Sequence, residues 1–260
     1  MKVNSFLVPP GFTAIDLAIQ EGLVLALWGR EKAGKTHTAL TFPEPIYLLH
    51  PDMGAREIIR KHFPTKFIVE HAIKFLRPGD IDEATQRLSE FQATYQNVLD
   101  CAGTGTVIID TATRLWQIVH QVKLYAVQEA RAKTLLAKGK QVDPESIRPQ
   151  QFEWANANLY MANLLTLALH ASNAHGTNTV FIHHAKTVYA EGGVRTNQLE
   201  LDGFGRTAAI TPYTVYVYSE PGRDGQVHTQ GRIDRCRSDR SLEGLPISDV
   251  DYELLKGLFL

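Results

Sequence analysis

The octapeptide Gly29-Arg30-Glu31-Lys32-Ala33-Gly34-Lys35-Thr36 satisfies the spacing G-x-x-x-x-G-K-[ST] in full and follows directly on the apolar run Leu23-Val24-Leu25-Ala26-Leu27-Trp28. Few sequence features constrain a fold as tightly. The apolar run reads as a buried strand, which must turn through two glycines into the helix-compatible run Thr36 to Leu40. That succession is the strand, loop and helix of a site for nucleotide triphosphates. The glycines let backbone N–H groups curl around the phosphates, Lys35 reaches the β and γ oxygens, and the Thr36 hydroxyl coordinates Mg²⁺. Arg30, Glu31, Lys32, Ala33 and the adjoining His37 are counted with the nucleotide-binding residues.

At 260 residues, with 44% hydrophobic and 21% charged side chains, the chain suits one α/β domain with a sizeable core, about 20–243, plus a short N-terminal segment and a C-terminal helix. The formal net charge of −1 supplies no global basic field, so any nucleic-acid contact must come from local patches. Cys101 and Cys236 give neither a disulfide framework nor a metal-ligand spacing, which suits a reducing cytoplasm. The N-terminus lacks a signal-peptide core, and the run Leu23 to Trp28 is too short to span a bilayer, so a cytoplasmic protein without membrane partners is expected.

Strand and helix patterns alternate along the chain, as a mostly parallel sheet with crossover helices requires. Pro45 to Leu49 reads as a second strand, Ala55 to Lys61 as a short helix, and Phe67 to Val69 as a third strand. Asp80 and Glu83 form a capping box for a helix whose apolar positions Ile81, Ala84, Leu88, Phe91, Tyr95 and Val98 recur at steps of three and four. Thr106 to Asp110 is a buried strand. Helices are expected over Arg114 to Ala132 and Gln150 to Ala171, and a further buried strand over Thr177 to His184. Ala185 to Arg206 shows no clear periodicity and reads as a long flexible segment. The strands Tyr213 to Tyr218 and Arg232 to Arg237 form a C-terminal hairpin, followed by a short helix over Ser248 to Leu258.

Candidate chemistry falls at the strand ends. Asp110 closes a β-branched strand and is expected to hold Mg²⁺ with Thr36, from the strand next to the phosphate loop. Thr111 follows it, not Glu, so the catalytic carboxylate must lie elsewhere. Asp52, just past the second strand, could orient or deprotonate water; equally, Pro51-Asp52-Met53-Gly54 is composed like a simple turn. His183 and His184 point to opposite faces of their strand, so the pair does not make a zinc site, and a polar side chain there faces the γ-phosphate. The stretch Arg131 to Arg148 carries five basic and two acidic residues. Its Lys133, Lys138 and Lys140 suit a nucleic-acid backbone, and a solvated helix end reads equally well. Within Ala185 to Arg206 the charges cancel. Lys186 and Arg195 are the candidate contacts there, and Tyr189 and Phe204 could stack on bases. Trp154 reads as core.

Taken together, the loop Gly29 to Thr36, the strand ending near Asp52, the strand Val107 to Asp110 followed by Thr111, and the strand ending Phe181-Ile182-His183-His184 resemble the RecA-like P-loop ATPase core in order and spacing. The chain is most similar to the short bacteriophage RecA-like proteins linked to recombination and single-strand annealing. The resemblance implies a three-layer P-loop NTPase fold, ATP and Mg²⁺ as ligands, and ATP hydrolysis stimulated by single-stranded DNA. It also implies assembly into a ring or filament, action beside a single-strand DNA-binding protein, and residence in the cytoplasm of a bacterial host. Asp52 falls where such enzymes carry the water-activating glutamate, and His184 where they carry a polar switch residue. Arg131 to Arg148 and Ala185 to Arg206 fall at the two DNA-facing loops. Arg235-Cys236-Arg237 resembles the Lys-x-Arg pair that hexameric relatives insert into a neighbour's active site. A separate N-terminal DNA-binding domain and a Phe-x-x-Ala polymerisation motif have no counterpart here. Two other readings stay open: a helicase or helicase-loader motor, and a nucleotide-gated interaction switch with little hydrolysis.

Overall fold

The computed structural model describes residues 21–50, 54–72, 81–222 and 227–260. The chain runs β1 (Val24–Gly29), α1 (Lys35–Leu40), β2 (Ile46–His50), α2 (Arg56–His62), β3 (Ile68–Ala72), α3 (Ile81–Cys101), β4 (Thr106–Asp110) and α4 (Ala112–Ala137). It continues through α5 (Ala155–His175), β5 (Asn178–Tyr189), β6 (Arg195–Asp202), α6 (Thr207–Ile210), β7 (Tyr213–Pro221), β8 (Val227–Cys236), β9 (Pro246–Ser248) and α7 (Tyr252–Phe259). Among the described residues these strands form one nine-stranded sheet in the order β3-β2-β4-β5-β1-β7-β8-β9, with β6 paired to β5. Strands β1 to β5 and β7 pair in parallel, and β5–β6, β7–β8 and β8–β9 are antiparallel. The predicted class, a mostly parallel α/β sheet with a C-terminal hairpin, is the observed one. Among the described residues no helix is long and apolar enough to cross a membrane.

Every residue of β1 and β4 is buried, because helices cover both faces and the strand therefore needs no polar side. Val24, Val107, Ile109 and Phe181 pack with α3, α4 and α5. Leu25, Leu27, Ile108 and Ile182 pack on the opposite face with α1 and α7. The helix face predicted from Leu88, Phe91 and Tyr95 is buried as expected. Tyr95 and Tyr160 stitch α3 to α5 by donating their hydroxyls to the carbonyls of Leu164 (3.1 Å) and Leu88 (2.8 Å).

Three expectations are corrected. First, β4 does not neighbour β1: β5 lies between them, with Gly29 opposite His184 and Asp110 opposite Ile182. Second, Ala185 to Asp202 is ordered as a ribbon, because β5 runs on to Tyr189 and pairs with β6 from His184↔Asp202 to Tyr189↔Arg195, and a turn follows to Arg206. Half of β6 is exposed and none of it is buried, so its sequence carries no run of core-facing apolar residues to mark a strand. Gly192 and Gly193, at φ 80° and 77°, supply the left-handed turn. Third, α4 continues past Ala132 to Ala137, supported by the Glu129–Lys133 pair at 2.7 Å one turn apart. The expected helical starts also shift: a 3-10 turn, Gln151–Trp154, precedes α5, and Ser248 belongs to β9. Asp80 lies outside the described residues.

Asn178 clamps the N-terminal ends of the three central strands. Its Oδ1 accepts from the Leu23 amide (2.9 Å), and its Nδ2 donates to the carbonyls of Thr104 (3.2 Å) and Gly105 (3.3 Å). Asn178→Ala orphans the buried Leu23 amide, at about 1–3 kcal/mol, while the Gly105 carbonyl keeps the Asn178 backbone amide (2.9 Å). Urea denaturation of the variant is expected to show a loss in that range. A change below about 0.5 kcal/mol, the ordinary size of a surface substitution, contradicts the clamp.

Candidate functional site

Neighbouring strands dictate the shape of the phosphate loop. A side chain at Gly29 would place its Cβ 2.0 Å from the Val217 carbonyl oxygen of β7. At Gly34, φ is +91° and a Cβ would meet Thr229 Oγ1 of β8 at 2.6 Å. The motif glycines are therefore required by packing as well as by any ligand. Behind the loop Lys35 is 5% exposed, and its Nζ donates to the carbonyls of Gly29 (3.0 Å) and Arg30 (2.6 Å). Burial lowers its pKa to about 8, although Asp110 and Glu31 pull in the opposite direction. Thr36 Oγ1 donates to Asp110 Oδ2 at 2.8 Å. Lys35, Thr36 and Asp110 thus meet at one point.

These groups fit a magnesium-bound triphosphate. A desolvated ammonium held by carbonyl oxygens gains from an anion, and a hydroxyl beside a carboxylate is the hard-oxygen pair that Mg²⁺ takes alongside phosphate oxygens and water. The loop residues Arg30, Glu31, Lys32 and Ala33 lie between the two glycines, with Lys32 also left-handed at φ 61°. His37 sits differently: its ring packs against His62 (5.4 Å) and Phe63 (5.0 Å), joining α1 to α2.

A relay missed in the sequence starts at His184. Its amide donates to Thr113 Oγ1 (2.9 Å), and that hydroxyl donates to the Asp202 carbonyl (2.5 Å). His183 Nδ1 lies 3.1 Å from the same carbonyl oxygen, and burial drives the His183 pKa down to about 4, keeping the ring neutral. Thr113 therefore ties the first turn of α4 to the middle of central strand β5 and to the root of the ribbon. Its one sequence signal was its place, three residues after Asp110.

Asp52 lies outside the described residues. The strand leading to it ends at His50, whose Nε2 is 3.1 Å from Glu70 Oε2. Arg56 also pairs with Glu70, and that bond holds the Glu70 carboxyl below its usual range.

Arg235 on β8 and Arg237, one residue past its end, are exposed. Arg235 donates to the Ala208 carbonyl (2.6 Å) and Arg237 to that of Ile210 (3.0 Å), and with Arg240 and Glu243 they line a cleft of about 340 Å³. Six residues of extended strand, about 20 Å, separate Arg235 from Thr229, which touches the loop. The pair is thus remote from the chain's own Lys35.

The predicted DNA contacts fall on separate elements. Lys133 pairs with Glu129 about 33 Å along the α4 axis from Thr111, and Lys138 and Lys140 lie beyond it, exposed. Lys186 pairs with Glu200 across the ribbon (3.3 Å), and Arg195 stands opposite Tyr189 near its tip. Phe204, expected to be able to stack on bases, is instead 2% exposed against Trp116. Trp154, read as core, is only partly buried: it packs against the edge of the core and stacks on His120 at 3.9 Å.

A family profile described as an AAA domain matches residues 21–215. Among curated proteins no sequence match is found. Two solved structures are similar over most of both chains. A KaiC-like protein from the hyperthermophilic archaeon Pyrococcus horikoshii shares 14% identity over 88% of this chain and 85% of its own, with a TM-score of 0.45. A RadB recombinase shares 10% identity over 88% and 87%, also with a TM-score of 0.45.

The buried lysine gives a pH signature independent of any ligand. Between pH 8 and 10.5 the unfolded chain retains the Lys35 proton that the folded chain releases. The folded state therefore gains stability from this group as pH rises through that window. Relative to Lys35→Met, the wild type is expected to gain stability in urea titrations between pH 8 and 10. A difference that stays flat or falls contradicts the desolvated ammonium.

Proposed function

The chain belongs to the AAA domain family, and on that premise we propose that it is a Mg²⁺-dependent ATPase of RecA-like type acting on single-stranded DNA. The observation that carries this reading is the meeting of Lys35, Thr36 and Asp110 behind a loop whose glycines let it pack closely against β7 and β8. Lys35 and the loop amides bind the phosphate oxygens, while Thr36 and Asp110 would hold Mg²⁺. The metal supplies charge neutralisation on those oxygens. Asp52 positions the attacking water. His184, on the strand between β1 and β4, senses the γ-phosphate and passes its state through Thr113 to the ribbon.

Arg235 and Arg237, remote from their own loop, act in a neighbouring copy, where Arg237 stabilises charge on the transferring group. This makes the active form a homo-oligomer, a ring or a filament. DNA contact falls to the ribbon residues Lys186 and Arg195 and to Lys133, Lys138 and Lys140 on the end of α4. In this reading the protein assists annealing or strand exchange for a phage in a bacterial cytoplasm, beside a single-strand DNA-binding protein. One observation favours a second reading. Lys133 and Lys186 are each matched by a carboxylate, so the DNA field is modest and a nucleotide-gated protein switch uses the same relay.

ATP turnover with and without single-stranded DNA separates the two. The recombination reading expects turnover that rises with DNA and is abolished in Lys35→Ala. Asp52→Asn keeps Mg·ATP binding and loses hydrolysis, whereas Asp110→Asn weakens the metal-dependent binding itself. Wild-type turnover in Lys35→Ala removes the ATPase reading. DNA-insensitive turnover, with no oligonucleotide binding in either nucleotide state, selects the switch.

A further inference from the structure

On the sheet face away from α1, Trp28 of β1, Tyr216 of β7 and Arg232 of β8 stand at one register, Trp28↔Tyr216↔Arg232. The Trp28 and Tyr216 rings lie 4.6 Å apart, the Arg232 guanidinium sits 5.4 Å from the Tyr216 centroid, and Tyr218 stacks on Tyr216 at 5.5 Å. Asp234 fixes this platform. It accepts from Trp28 Nε1 (2.7 Å) and from Arg232 Nε (2.8 Å). Facing the platform, Asn197, Gln198 and Leu199 of β6 complete a pocket of about 350 Å³.

We propose that this pocket binds an unpaired nucleobase. Charge disfavours a phosphate as its main ligand, because Asp234 neutralises Arg232 and, among the described residues, no other charged side chain lines the walls. What remains is a π-rich floor beside two exposed amide side chains, which offer a donor and an acceptor to the edge of a planar heterocycle. The indole and the guanidinium already have their hydrogen-bond partner, so the floor is rigid before any ligand arrives. The site is also distinct from the triphosphate loop. Trp28 shares the strand parity of Val24, which packs with α3 to α5, while α1 lies behind Leu25 and Leu27 on the other face. Its outer wall is the ribbon, rooted at Asp202 in the relay from His184, so occupancy by a base and the state of the triphosphate site bear on one element. The inference deepens the single-strand reading above and rests on it for the identity of the strand.

The test compares a fluorescein-labelled thymidine oligonucleotide with an abasic strand of equal length, by anisotropy on the full chain at fixed salt. Stacking on an aromatic platform predicts that the wild type prefers the base-bearing strand by about tenfold or more. Tyr216→Leu and the exposed double change Asn197→Ala with Gln198→Ala are each expected to lose that preference while keeping the affinity for the abasic strand. A ribo-oligonucleotide of the same length tells whether the source is DNA or RNA, and thymidine and adenosine alone, followed by tryptophan fluorescence, probe the pocket without a backbone. Equal affinity for both strands in the wild type, or a preference retained in both variants, overturns the pocket. Nucleoside binding without strand binding upholds the pocket and sinks the single-strand reading. Binding of neither strand nor nucleoside sinks both.

Discussion

The hydrogen bond from Thr36 to Asp110 joins the start of α1, which follows β1, to the end of β4, a strand that does not neighbour β1. β5 lies between β1 and β4, so the bond closes over an intervening strand, a gap of about two strand spacings or 9–10 Å. That constraint organises the site. It brings the hydroxyl at the start of α1 to the carboxylate that ends β4, with the middle of β5, His183 and His184, on the strand between them. Lys35 is buried by the same convergence, which lowers its pKa to about 8 even with two carboxylates pulling the other way. The loop sits in a place where a positive charge is poorly solvated, and a bound anion relieves that cost.

The same central position makes β5 a conduit. Its first residue, Asn178, fixes the lower ends of β1 and β4, and its continuation past His184 leaves the sheet as the ribbon. Thr113 and Asp202 fasten the point where strand becomes ribbon. Two residues after Asp202, Phe204 packs on Trp116, and α6 beyond it offers the carbonyls that hold Arg235 and Arg237. A chain of named contacts thus runs from the phosphate loop, through the root of the ribbon, to the arginine pair assigned to a neighbour's site.

The loop was legible in the sequence because its chemistry is local: eight consecutive residues carry the glycines, the cation and the hydroxyl. Asp110 was legible for a similar reason, as an acid ending a β-branched run. The insertion of β5 beside β1 was not, since strand neighbours are chosen by tertiary packing and leave no mark in the spacing of motifs. The ribbon was hidden because a strand such as β6, with no buried residue, needs no run of core-facing apolar side chains, and its glycines suggested flexibility where they build a tight turn. Phe204 looked available for stacking because nothing local announces that Trp116 covers it. Thr113 reads as an ordinary helix-start threonine until the backbone carbonyl of Asp202, 89 residues away, is seen to accept its hydrogen bond. Trp28 likewise reads as the last residue of a core strand. Only the pairing with Tyr216 and Arg232 turns it into the floor of a pocket.

The central claim is that Lys35, Thr36 and Asp110 form a metal-dependent triphosphate site. Isothermal titration of the chain with a non-hydrolysable ATP analogue, in the presence of Mg²⁺ and again with the metal chelated, tests it most directly. Stoichiometric binding that weakens at least tenfold on chelation is the predicted result. Absence of binding in both conditions, or affinity indifferent to the metal, contradicts it.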